Sequence, residues 1–251
     1  MKTPAFKALV SDYLQVLARQ ELAGMWAVVV FFRLPGFAVA RIAIALGIPA
    51  TCLTLLGLIS TILIALAAVL LPVSAALWCI LVFAVIFQII DCADGTVARA
   101  TGTTSLRGRF LDFASDILWR ATCLAALGHV ADRMSPDTTP SWMAVGLVAG
   151  FCATYARLMR CYVDAFAPDD AQAGNLPRYR PTLGNLTFSF LSGLDQIIPV
   201  IAVAAWTFGW LDVVLIGTVI YHGADVLLAG KAAYGTFAAR DRRRIETGDT
   251  P

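Results

Sequence analysis

The chain has 251 residues, of which 59% are hydrophobic and only 14% charged, with a formal net charge of +2. Soluble domains carry roughly a quarter charged residues, and one fold of this length has too little interior to hide so much apolar surface. The composition therefore excludes an ordinary soluble domain and points to an integral membrane protein, and the near-neutral balance gives no reason to expect a nucleic-acid partner.

In chain order, the first element is "TPAFKALVSDYLQVLARQ". Thr3 stands where a helix N-cap would, with Pro4 at the first helical position. Phe6, Val10, Tyr13, Leu14 and Leu17 follow at helical spacing, while Lys7, Asp12, Gln15 and Arg19 take other faces. The pattern predicts an amphipathic helix lying on a membrane surface. No basic stretch followed by an apolar run and a small-residue cleavage site is present, so no secretory signal peptide is expected. The next stretch, "MWAVVVFFRLPGFAVARIAIALGIP", is apolar but interrupted by Arg33, Pro35, Gly36 and Arg41. It reads as an interfacial or partly inserted helix pair rather than a seventh span, so residues 1–48 form an N-terminal interfacial segment.

Six long apolar segments follow, near 50–71, 74–98, 108–131, 141–163, 185–207 and 210–232. Each is long enough to cross a bilayer as a helix, which takes about 20 residues. Backbone groups in lipid must be bonded within the segment or in a closed barrel, and continuous apolar runs are not barrel strands. The expected architecture is an all-α integral membrane protein: six transmembrane helices within 49–235, behind an amphipathic helix, with a basic tail over 236–251. Lys2, Lys7, Arg19, Arg33 and Arg41 precede the spans, Arg99, Arg107 and Arg109 follow the second, and Arg178 and Arg180 follow the fourth. Lys231, Arg240, Arg242, Arg243 and Arg244 lie in the tail, and the opposite loops hold little beyond Arg133. The positive-inside rule then puts both termini in the cytoplasm. Cys52, Cys79, Cys92, Cys123, Cys152 and Cys161 lie in or beside apolar stretches without a CxxC pair and read as small buried hydrophobes rather than disulfide or zinc ligands.

One stretch breaks the apolar pattern: "DCADGTVARATGTTSLRGRFLDFASD", from Asp91 to Asp116. Asp91 and Asp94 are three apart at the end of the second span and share a helix face. Gly108, Asp112, Asp116 and Arg120 recur every four residues and form a stripe at the start of the third. A short connection brings four carboxylates together at the membrane boundary. Four anions at an apolar site repel one another and lose hydration, an arrangement that divalent cations would resolve. All-oxygen ligation suits Mg²⁺ or Mn²⁺, and Mg²⁺ held by carboxylates usually also holds substrate phosphates. The expected substrate is a diphosphate approached from the cytoplasm, with an apolar tail in the bilayer. Helix-end salt bridges to Arg99, Arg107, Arg109 and Arg120 are the plainer reading, but they do not call for two carboxylates per helix at this spacing.

The series Asp91-x-x-Asp94-Gly95-x-x-Ala98-Arg99, eight residues, then Gly108-x-x-x-Asp112-x-x-x-Asp116 resembles the signature of the CDP-alcohol phosphotransferase family at every fixed position. Upstream, "IPATCLTLLG" is similar to the family's entry into the first span at Thr54, Leu55, Leu56 and Gly57. It departs at Ala50, where proline is usual, and at Thr51, where asparagine is usual; Thr51 fits a helix N-cap as readily as a nucleotide contact. The resemblance implies the same fold of one amphipathic helix and six spans. It also implies transfer of a phosphatidyl or related group from a CDP-linked donor, with CDP-diacylglycerol foremost, to a small alcohol, releasing CMP in phospholipid biosynthesis. It implies two Mg²⁺ or Mn²⁺ ions on Asp91, Asp94, Asp112 and Asp116, with Asp116 also the general base. Gly95, Ala98, Arg99 and Gly108 would admit the nucleotide, in a homodimer in a bacterial cytoplasmic membrane.

On the acceptor side, Arg120 continues the aspartate stripe, and Arg157 and Arg160 lie three apart near the end of the fourth span. These three are candidates for an acceptor carrying phosphate. Arg178, Arg180 and Lys231 read as positive-inside anchors. Asp195, His222 and Asp225 lie within or near spans and could touch the acceptor or pair with the arginines; His222 alone reads as a structural histidine. Trp119, Trp206 and Trp210 read as packing or interface anchors. A UbiA-type intramembrane prenyltransferase would need two Asp-rich motifs far apart. A cation-coupled transporter would favour a midplane site, broken helices and internal repeats. An inactive interaction protein would have no need of all four aspartates.

Overall fold

A computed structural model describes residues 6–16, 18–22, 24–135, 139, 141–167 and 183–247. Thr3, Pro4, Arg178, Arg180 and most of the connection between the fourth and fifth expected spans lie outside the described residues. The described secondary structure is helical throughout: α1 (Phe6–Val16), α2 (Ala18–Leu22), a π-helical turn (Val28–Phe32), α3 (Arg33–Ala45), α4 (Ala50–Leu70), α5 (Val73–Ala100), α6 (Leu106–Met134), α7 (Trp142–Phe166), α8 (Leu183–Asp195), α9 (Ile198–Thr207) and α10 (Leu211–Thr247).

The bundle of α4 to α7 with α9 and α10 closes on one core, in which Ile64, Leu77, Ile80, Leu127, Val130 and Leu215 are fully buried. Its outer surface is unusually apolar. Leu55, Leu56, Ile59, Ile62, Leu66 and Val69 are all exposed along α4, and Leu147, Val148 and Phe151 along α7. A belt of this size is unstable in water and at home in lipid. The protein is an all-α integral membrane protein.

Among the described residues, five helices are long and apolar enough to cross a membrane, or six if one bent pair counts as a span. Three differences from the expected spans are instructive. First, residues 24–48 do not form two helices. The π turn runs directly into α3, giving one apolar stretch, Val28–Ala45, long enough to cross. Pro35 cannot donate the hydrogen bond that a regular helix would require, and a wide turn just before it accommodates the loss. The buried face of this stretch meets α5 between Val85 and Val97, the half nearer the aspartates. Second, α6 is absent from the apolar set although it sits inside the bundle. Arg107, Arg109, Asp112, Asp116, Arg120, Asp132 and Arg133 lower its hydropathy. Third, the expected span 185–207 is broken into α8 and α9, which meet at 78°. Pro199 lies four residues after Asp195, so it removes the bond to that carbonyl and its ring clashes there, ending α8.

α6 and α7 run antiparallel at very close range. A methyl group at Gly146 would collide with the Leu124 carbonyl, and one at Gly150 would lie 3.1 Å from the Ala121 Cα. This contact carries the charged end of α7 to the charged end of α6. At the other end, Asp132 accepts hydrogen bonds from the Ser141 hydroxyl and from the Trp142 and Met143 backbone at the start of α7. Arg133 there donates to the Ala68 and Leu71 carbonyls at 2.8 and 2.7 Å, capping α4. All six cysteines are free; Cys92 and Cys123 are buried as expected, but Cys52 is exposed and Cys79, Cys152 and Cys161 are half-buried, on helix faces turned partly outward.

Candidate active site

The loop between α5 and α6 sets the motif's geometry. Gly102 is left-handed, with φ +67°. Its N–H bonds the Arg99 carbonyl, and the Thr103 N–H bonds the Ala98 carbonyl at 2.9 Å. This double closure ends α5 nearly two turns after Asp94, at Ala100, and only glycine adopts it without strain. Ser105 then caps α6, accepting the Gly108 N–H at 3.1 Å. The eight residues between Arg99 and Gly108 are therefore one helix stop and one helix start, and they turn the two halves of the motif toward each other.

The four aspartates converge. Asp91 and Asp112, from different helices, are within hydrogen-bonding reach of each other, with Asp94 and Asp116 as their nearest acidic neighbours. Asp94 is buried, and its Oδ2 accepts from the Thr54 hydroxyl at 2.6 Å. Asp116 is 19% exposed and faces two cations. Arg120 Nε lies 3.1 Å from one of its oxygens, and Arg157 Nε lies 3.6 Å from the other. Among the described residues no three Asp, Glu, His or Cys side chains are disposed as a ready metal site. Asp94 is turned to Thr54 and Asp116 to its arginines, so the carboxylates are gathered without being aimed at one point.

The remaining candidates fall as follows. Arg99 folds over Gly95, where a Cβ would lie 3.1 Å from its Nη1. What covers Gly95 is thus the flexible end of a side chain. The space above Gly108 holds only the Ser105 hydroxyl, 3.3 Å from where a Cβ would be. Ala98 lies on the same final turns of α5 and is half-buried. Arg120 is pinned between Asp116 and Asp195, whose Oδ2 accepts from its Nη1 at 2.6 Å. Arg160 is not at the aspartates. Both its terminal nitrogens bond Asp225 of α10, one at 3.0 Å. Thr51 lies inside the first turn of α4, exposed, and Pro49 takes the cap position, so its N-cap reading does not hold. His222 is buried with its Nε2 3.1 Å from Asp195 Oδ1.

Several contributors were not picked out from the sequence. Thr54 reaches Asp94 from forty residues away. Its only signal was its place in "TLLG". Glu21 and Arg33 form a buried pair that also takes the Tyr13 hydroxyl at 2.8 Å, and Arg33 Nη1 reaches the Cys92 carbonyl beside Asp91. Gln196 accepts from Gln88, one turn before Asp91. A polar group inside an apolar run was the available signal for these.

The fold and site define a helical membrane protein whose charge is concentrated where two adjacent helices meet at a glycine turn. Residues 48–216 match the family model for CDP-alcohol phosphatidyltransferase, and the chain belongs to that family. The match spans α4 to α9 and runs into α10, and it contains every aspartate of the motif. It makes the protein a phosphotransferase acting on a CDP-alcohol. Comparison with curated proteins and with solved structures finds no significant match.

Proposed function

We propose that the protein transfers a phosphatidyl group from a CDP-linked lipid, CDP-diacylglycerol foremost, to the hydroxyl of a small alcohol, releasing CMP in phospholipid biosynthesis. The observation that carries this reading is the convergence of Asp91, Asp94, Asp112 and Asp116 beside an apolar belt, with Asp112 exposed and Asp116 partly exposed and flanked by two guanidinium groups. A nucleotide with an apolar tail suits such a boundary. Its head reaches the charges while its chains stay in lipid.

The donor set fits two Mg²⁺ or Mn²⁺ ions, being all carboxylate oxygen from two rigid helices. Asp91, Asp94 and Asp112 would hold them, with Asp116 sharing. Bound there, divalent ions supply charge neutralisation on the donor's diphosphate and on the departing CMP. The chain's own residues do the rest. Arg99 can leave Gly95 and pair with a phosphate oxygen. Ala98 and Gly108 leave room for the nucleotide against both helices. The acceptor oxygen attacks the β-phosphorus, the bond from that phosphorus to the bridging oxygen breaks, and CMP leaves with that oxygen. Asp116 takes the hydroxyl proton. Each of its oxygens keeps a second lone pair beyond the one facing an arginine. Arg157, half-exposed and already turned to Asp116, is the more accessible of the two acceptor-side cations at this step. Arg160 would contribute from its pair with Asp225.

The break between α8 and α9 is a feature that a transporter would share. Its polar groups, however, turn to Arg120 and His222 and lie behind the aspartates at the helix ends, where a transferase needs them. The site opens to the cytoplasm on this reading, in a bacterial inner membrane. The test is CMP release from CDP-diacylglycerol by purified protein, with Mg²⁺ or Mn²⁺, across a panel of alcohols beside an Asp116→Asn control. Release requiring metal, Asp116 and one particular alcohol supports the reading and identifies the acceptor. CDP that neither binds nor turns over with any acceptor contradicts it.

A further inference from the structure

Behind Asp116 lies a buried polar cluster that the transfer step does not itself use. It is built at the break in the fifth span. Pro199 ends α8 at Asp195, and the 78° bend leaves Asp195 and Gln196 facing the bundle instead of continuing a lipid-facing helix. Asp195, whose side chain is 8% exposed, receives Arg120 Nη1 on one oxygen at 2.6 Å and faces His222 Nε2 with the other at 3.1 Å. His222 is 2% exposed. Gln196 lies 3.5 Å from Arg120 Nη2 and accepts from Gln88 of α5 at 3.4 Å. Phe87, next to Gln88, stacks on Trp119, next to Arg120, with ring centroids 5.1 Å apart.

From this geometry we infer that Asp195 and His222 are positioning residues that act through Arg120 to hold Asp116 in place for proton transfer. The inference rests on the reading of Asp116 as the base. Arg120 presents its Nε edge to Asp116 and its terminal nitrogen to Asp195. A guanidinium is a planar fork, so fixing one end fixes the direction of the other. Without Asp195 the Arg120 side chain could rotate away, and the oxygen of Asp116 that it holds would be free to turn. His222 places its Nε2 3.1 Å from the second oxygen of Asp195 without an aligned hydrogen bond, and its buried ring limits the rotation of that carboxylate in its turn. The Gln196 to Gln88 link and the Phe87 stack tie the same clamp to α5 just before Asp91, so both motif helices are braced from one place. Stability alone does not call for this cluster. A buried ion pair is commonly no more stabilising than apolar side chains of the same volume, because desolvation offsets the attraction. Ionisable groups inside a membrane bundle that face one another behind a reactive carboxylate are better accounted for by orientation.

The test is a cycle of four proteins in lipid nanodiscs: the unaltered chain, Asp195→Asn, Arg120→Gln and the double variant. CMP release is measured with CDP-diacylglycerol varied at saturating alcohol, and each protein is also melted. Asp195→Asn is expected to lower kcat about 10- to 100-fold, the scale on which misplacing a reacting group acts, with the donor KM unchanged within roughly threefold. The double variant is expected to be no slower than Arg120→Gln. A kcat within twofold of the unaltered chain overturns the proposal, as does a loss confined to donor KM or two losses that multiply in the double variant. Should Asp195→Asn fail to fold, His222→Gln takes its place, with a smaller fall in kcat at constant donor KM expected and no fall overturning it. If the unaltered chain releases no CMP from any CDP-linked lipid, the transferase reading fails, and with it the catalytic half of this proposal. The melting cycle then still decides whether positions 120 and 195 act as one unit: coupled losses support the clamp and additive losses overturn it.

Discussion

The two ends of α6 both carry carboxylates, and they use them in opposite ways. At the far end, Asp132 is surrounded by donors from the Ser141 hydroxyl and the first backbone groups of α7, and Arg133 beside it caps α4. Every charge there completes a helix end. At the near end, Asp112 faces Asp91, another acid, with Asp94 and Asp116 close behind. No helix terminus needs those carboxylates, since the Gly102 turn and Ser105 already close α5 and open α6. One end obeys the rules of stability, while the other departs from them at the site proposed for chemistry. Departures of this kind are where function is to be sought.

The comparison breaks if the two ends respond alike to substitution. The largest expected effect is at the near end. Asp112→Asn should lower CMP release about 100-fold or more, the scale for losing one charged group from a phosphoryl-transfer site. Its melting temperature in metal-free buffer should hold or rise, because a crowded charge has been removed. Asp132→Ala should do the reverse. Turnover should stay within about twofold, while stability falls by about 1–2 kcal/mol, the cost of losing a good helix cap, read by thermal melting of the purified protein. Thr54→Val sharpens the comparison within the near end. It removes the donor to Asp94 without touching the cluster's charge, and turnover should fall about tenfold, as for one hydrogen bond to a charged group.

The smallest effect is one of pH. Slight burial pushes the Asp132 carboxyl upward, but the Ser141 hydroxyl and the Met143 and Trp142 backbone groups outweigh it and hold it below its ordinary value. A carboxylate lowered by folding stabilises fully above its unfolded value of about 4 and loses that contribution as pH falls through the folded value. The melting-temperature gap between the unaltered chain and Asp132→Ala should therefore persist at neutral pH and narrow in acid. A gap that widened in acid would contradict the assignment.

Much of this was legible from the residues. The four aspartates and Arg120 lie at three- and four-residue spacings on helices, so local geometry alone gathers them. α6 was read as one of six apolar spans, although its charge removes it from any ranking by hydropathy. What could not be read was pairing across the bundle. Arg120 meets Asp195 75 residues on, and Arg160 meets Asp225 65 residues on, and no periodicity within one helix carries that information. The break between α8 and α9 was an intermediate case. Asp195, Gln196 and Pro199 in an otherwise apolar run marked the place, but proline is tolerated in membrane helices where neighbours satisfy the freed groups, and only the bundle shows that Arg120 and His222 wait there. The stretch before α4 misled for a related reason. Its Arg33 resembles an interruption until Glu21, from a different helix, is seen to pair with it.

The most direct measurement compares the two ends in one experiment: CMP release from CDP-diacylglycerol in the presence of Mg²⁺ by the unaltered chain, Asp112→Asn and Asp132→Asn, at equal amounts of folded protein. The account predicts turnover that is abolished or nearly so in Asp112→Asn and close to the unaltered rate in Asp132→Asn. Equal rates in all three, or a greater loss at Asp132, would contradict it and return the near-end aspartates to structural charges.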